Sequence, residues 1–128
     1  MIELSITRAG IPFDLKALEI GPDLCVIIAG GDSPHIGAVT LSVPRPSLAD
    51  PQTVSASTSV LTRVGHKDDE AARYVSQELA AKLNRNVVGT CGIHVDRISR
   101  AQLDAVVQAL PELVRAVVEA LGAAPTCE

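Results

Sequence analysis

Residues 56–83, ASTSVLTRVGHKDDEAARYVSQELAAKL, change their period part-way along. From Ala56 to Val64 the residues are mainly Ser, Thr and Val, a composition that fits a pleated, half-buried strand. Further on, Ala72, Val75, Leu79 and Leu83 recur at helical spacing. Asp68, Asp69 and Glu70 fall in the first turn of that helix, where negative charge suits the dipole. A strand therefore feeds a helix across Gly65-His66-Lys67, and the fold must combine both element types.

Toward the N-terminus the pattern reads as strands. Ile2, Leu4 and Ile6 alternate with polar residues, and Phe13 to Ile20 is a second candidate that ends at the turn signal Gly21-Pro22-Asp23. Leu24 to Ala29 is a continuous apolar run, as a central strand requires. Ile36 to Val43 alternates again. Pro44-Arg45-Pro46 through Pro51 predicts the longest loop and the most mobile part, because proline gives a sheet no ladder N–H. Toward the C-terminus, Val87 to Val95 returns to strand character. Ser99 and Gln102 then form a capping box for a last helix, whose apolar stripe starts with Leu103, Val106, Val107 and Leu110. Pro111 predicts a kink or a restart in it. The order β-β-β-β-β-α-β-α gives an α+β fold: a mainly antiparallel sheet of about six strands with two helices on one face, in one domain spanning residues 1–128.

Composition excludes several functions. The chain carries a net charge of -4, one Phe, one Tyr and no Trp. It lacks both the basic footprint and the stacking rings that nucleic-acid binding uses. The three cysteines, Cys25, Cys91 and Cys127, include no C-x-x-C pair, which fits a reduced cytoplasmic protein. The N-terminal residues carry neither a basic n-region nor an apolar h-region, and no run has the length of a membrane span. There is no G-x-S-x-G, no phosphate-binding P-loop and no H-E-x-x-H, so a free-standing enzyme is disfavoured.

Three Gly-flanked segments hold every histidine: GGDSPHIGAV (30–39), SVLTRVGHKDDEAA (59–72) and GIHVDRIS (92–99). At Gly65-His66-Lys67, helix-start N–H groups and the Lys67 ammonium would suit a phosphate, or Asp68 or Asp69 simply caps the helix. In the first segment Gly31 permits a left-handed turn and Asp32 an Asx turn, so an ordinary hairpin would also explain it. Two residues apart on a strand, His94 and Asp96 share a face, whereas Cys91 and His94 lie on opposite faces.

Together, in this order and with a helix after the second and third, the segments resemble the prenylated-flavin chaperone family. Its members are the small D subunits that accompany UbiD-type hydroxyaryl or gallate decarboxylases. The resemblance runs from about Leu24 to the last helix. It implies an accessory protein that binds prenylated FMN made by a flavin prenyltransferase and delivers it to an apo-decarboxylase. It would place the flavin around Gly30, Gly31, Asp32, His35, Gly65, His66, Lys67 and His94. A homodimer is the default expectation, since the apolar surplus suggests surface buried against a second copy. Two other readings stay open: a metal-dependent enzyme built on His35, His66 and His94, and a structural assembly factor whose Gly-His loops are only turns.

Overall fold

The computed structural model describes residues 1–63 and 68–122. In chain order the elements are β1 (Ile2–Arg8), β2 (Ile11–Ile20), β3 (Asp23–Gly31), β4 (Ala38–Pro46), β5 (Val54–Thr62), α1 (Asp69–Leu83), β6 (Val87–His94) and α2 (Arg100–Leu121). The six strands form one sheet in the order β1-β2-β3-β6-β4-β5. Every neighbouring pair is antiparallel except β3 and β6, which run parallel. The α+β expectation holds, with the apolar run from Leu24 to Ala29 in the middle of the sheet.

Alternation decides which face is buried. Phe13 and Leu15 on β2, Leu24, Val26 and Ile28 on β3, and Val87 and Cys91 on β6 all turn to one face and are buried. Both helices cover that face: α1 lies over β4, β5 and β6, and α2 over β1 and β2 and against α1. α1 contributes Val75, Leu79 and Leu83, and α2 contributes Leu113, Val114 and Val117. Full burial of a side chain of this size stabilises by roughly 1.5–3 kcal/mol. Beneath α1 the layer turns polar. The Ser42 hydroxyl sits 2.7 Å from Thr58 Oγ1 and donates to Ser76 Oγ at 2.9 Å, so these buried hydroxyls satisfy one another.

Three details differ from the sequence expectations. First, Pro44 and Pro46 belong to β4, opposite Ala56 and Val54 of β5. The N–H of Ser47 donates to Thr53 O at 2.8 Å, so by alternation the nitrogens of Pro44 and Pro46 face away from β5. On that side the β4–β6 pairing has already stopped at Ser42 and Val87, so the missing donors cost the sheet nothing. Second, α2 continues through Pro111 without a restart. Third, residues 32–37 are no hairpin turn, because β6 lies between β3 and β4.

Candidate functional site

Where α1, α2 and the end of β6 meet, they leave a cleft of about 840 Å³. That lies within the roughly 300–1,000 Å³ typical of small-molecule sites. One wall is aliphatic and comes from α2 and the turn before it: Ile98, Leu103, Val106, Val107 and Leu110. Facing it are Ala71 and Tyr74 of α1 and Ile93 of β6, and His35, Asp68 and His94 stand among the lining residues. Pro111 also lines the cleft, and because it has no N–H, the Val107 carbonyl lacks its usual helical donor.

The Asp68 carboxylate organises one polar corner. Asp68 is the N-cap residue of α1, yet its side chain makes no capping bond. Instead Oδ2 lies 3.0 Å from His35 Nε2, and Oδ1 accepts from the Ile93 N–H at 3.2 Å. One carboxylate thus ties the 32–37 loop, the start of α1 and the end of β6 together. The other His35 nitrogen, Nδ1, is 2.9 Å from the Ser33 carbonyl. Both ring nitrogens lie within hydrogen-bond distance of an oxygen, so Ser33 and Asp68 together fix the orientation of the imidazole. Beneath this corner the Cys91 thiol is pushed up to about 12, first by burial and then by the Asp68 charge, so it is no nucleophile.

The second corner is wetter. His94 Nε2 lies 2.9 Å from Asp96 Oδ1, and these side chains are 52% and 76% exposed, against 18% and 13% for His35 and Asp68. The shared face expected for His94 and Asp96 is therefore observed. Asp32 braces this corner from behind: its N–H donates to His94 O at 2.7 Å and its Oδ2 accepts from the Asp96 N–H at 2.9 Å. Close backbone approach makes glycine obligatory at two points. Gly31 has φ +77, and a Cβ there would lie 2.1 Å from His94 O; a Cβ on Gly92 would lie 1.7 Å from His35 O.

A profile of the prenylated flavin chaperone LpdD-like domain matches residues 7–122. The chain belongs to this family. It is 30% identical to Protein LpdD of Lactiplantibacillus plantarum (strain ATCC BAA-793 / NCIMB 8826 / WCFS1), over 98% of this chain and 88% of that protein. Among solved structures it is similar in fold to a chain from a chaperone complex for yeast 20S proteasome assembly, with a TM-score of 0.59 at 15% identity, covering 94% of this chain and 98% of that one.

Within this flavin-chaperone domain the sequence-predicted residues divide. His35 and His94 line the cleft. Gly30, Gly31 and Asp32 stand behind it as scaffold; a Cβ on Gly30 would meet Pro12 O at 2.4 Å. Gly65, His66 and Lys67 lie outside the described residues. Among the described residues no group of three or more His, Cys, Asp or Glu side chains is placed to hold a metal ion, and none of the helices is long and apolar enough to cross a membrane.

Sequence reasoning missed Tyr74 and did not foresee a cleft at the first turns of α2. Leu103 and Val107, read as part of the apolar stripe, are 47% and 59% exposed and line the cleft. A signal was present: Tyr74 is the chain's one tyrosine and lies off the α1 stripe of Ala72, Val75 and Leu79.

Proposed function

We propose that this chain holds prenylated FMN in the α1–α2–β6 cleft and hands it to an apo UbiD-type (de)carboxylase, as a carrier and not as a catalyst. The observation that carries the reading is an aliphatic cleft of ligand size, with a half-buried His35–Asp68 pair at its edge, in a prenylated flavin chaperone domain. The α2 wall suits the apolar prenyl-derived ring, and Tyr74 offers an aromatic face for the isoalloxazine. His35 and His94 suit the polar edge of the ring or the ribityl hydroxyls. Lys67 and the start of α1 are assigned the phosphate. Asp68, Asp69 and Glu70 stand in the same stretch, so the anion is held against carboxylates, which suits a site that must release its cargo.

Loading comes from a flavin prenyltransferase, and the carrier works in the cytoplasm as a homodimer. The test is transfer. Protein loaded anaerobically with reduced prenylated FMN, then freed of excess flavin, should activate an apo-decarboxylase in proportion to the flavin carried. Lys67→Ala should weaken binding of phosphate-bearing flavin more than binding of its phosphate-free analogue. Loaded protein that activates nothing would overturn the delivery role, and equal losses for both ligands would overturn the phosphate assignment.

A further inference from the structure

The sheet has a second face, which neither helix covers. By register its central residues are Leu18 of β2, Cys25 and Ile27 of β3, Val88 and Thr90 of β6, and Val39 and Leu41 of β4. Leu18, Ile27, Val88 and Leu41 are 40–47% exposed. A sheet with one solvated face normally alternates apolar and polar residues, but β3 and β6 carry apolar residues on both faces, and Leu18 and Leu41 extend that patch onto β2 and β4. Contiguous apolar surface of this kind marks an interaction site.

The charges around the patch are arranged in two halves. Glu3, Asp14 and Asp23, with Lys16, lie on the β1-β2-β3 half; Arg45 lies on β4, and Arg63, whose N–H donates to Gly37 O, follows the end of β5. Three strands stand on each side of the β3–β6 seam. A twofold axis parallel to the strands along that seam lays β1 over β5, β2 over β4 and β3 over β6 of a second copy. Leu18 then meets Leu41 of the second copy, and Cys25 meets its Val88. The acidic half of each copy covers the basic half of the other: Arg63 falls beside Ser5 and Asp14, and Arg45 beside Asp23 at the β2–β3 turn. A twofold axis perpendicular to the strands would instead set like charge on like charge.

We propose that this open face is a homodimer interface, two sheets packed face to face with their strand orders reversed. The proposal gives the second copy of the reading above a surface and a register, and leaves both clefts on the outside, accessible to a receiving enzyme. Six strands of seven to ten residues, at about 4.8 Å spacing and about 3.3 Å per residue, present a face on the order of 800 Å². That equals the roughly 800 Å² each partner contributes to a stable complex.

Sedimentation velocity on the flavin-free chain tests it. The wild type should sediment as a dimer. Val88→Asp, at the centre of the patch, should sediment as a monomer with an unchanged far-ultraviolet circular dichroism spectrum, and Ile27→Asp provides a second variant should that one misfold. Asp23→Arg or Arg45→Asp alone should weaken the dimer by about tenfold, since each change strikes twice in a twofold interface, and the two together should restore it. A wild-type monomer, as expected if the face meets a different protein, would overturn the proposal; so would a dimeric Val88→Asp or a charge swap that restores nothing. No flavin is present in the measurement, so this result and the outcome for cargo binding are independent.

Discussion

The two faces of the sheet use the same aliphatic residues for different ends. On the helix side the core is closely packed, and Ile98, Leu103 and Val107 stay exposed where they line the cleft. On the other side Leu18, Ile27, Leu41 and Val88 form an apolar field across the open face of the sheet. A concave apolar surface edged by His35, Asp68 and His94 fits a small amphipathic molecule, whereas a flat one with opposite charges on its two halves fits a second sheet. Shape and charge, more than hydrophobicity, separate the cargo side from the assembly side.

The largest effect should come from Gly92→Ala. A Cβ there would lie 1.7 Å from the His35 carbonyl carbon's oxygen, a backbone atom, so the loop carrying His35 must shift. A loss on the order of 3 kcal/mol or more in denaturant unfolding is expected, with loss of flavin binding. A variant as stable as wild type would show that the loop is not held as described.

Next in size is a paired substitution. Val107→Asp puts a charge in the cleft and should weaken prenylated flavin by at least about a hundredfold while leaving the dimer intact. Val88→Asp should do the reverse. Each abolishing the other's property would break the division between the faces.

The cysteines sharpen the comparison. Cys91 is buried and its thiol is pushed up to about 12, whereas Cys25 is half-buried on the open face. In a Cys127→Ser background, alkylation near pH 8 should modify Cys25 and spare Cys91. Dilution should speed the reaction at Cys25 as the dimer dissociates. Equal rates at both thiols would contradict the burial pattern.

A smaller effect belongs to α2. Its N-cap Ser99 accepts from the Gln102 N–H while the Gln102 side chain accepts from the Ser99 N–H. Ser99→Ala should cost about 1 kcal/mol in unfolding free energy. The smallest concerns acid. The hydrogen bond from Arg8, followed by its charge, holds the Glu112 carboxyl below its ordinary range. This tie between β1 and α2 adds stability above about pH 4.3 and loses it as pH falls. Glu112→Gln should therefore slightly flatten the acid limb of the stability profile.

Much of the fold was legible because it rests on local pattern. The alternation in Ile2, Leu4 and Ile6, the helical recurrence from Ala72 to Leu83 and the Ser99–Gln102 box each specify an element from neighbours in sequence. The insertion of β6 between β3 and β4 was not legible, since pairing partners far apart in sequence leave no local mark. Pro44 and Pro46 misled because their cost depends on which side the neighbouring strand ends. At the site, His35 and His94 stood out as histidines among turn residues. The cleft's aliphatic wall did not, because Leu103 and Val107 carry the same spacing whether a helix packs or stands off. Tyr74 was overlooked because its signal, a lone tyrosine off the α1 stripe, belongs to no motif.

Tyr74 also provides the most direct test. It is the chain's one tyrosine and there is no tryptophan, so the protein's intrinsic emission reports from the cleft wall. Anaerobic titration with reduced prenylated FMN should quench that emission to an equimolar end point, and Val107→Asp should abolish the quenching. Flavin binding that leaves Tyr74 emission unchanged, or that survives Val107→Asp undiminished, would contradict the placement of the cargo in this cleft.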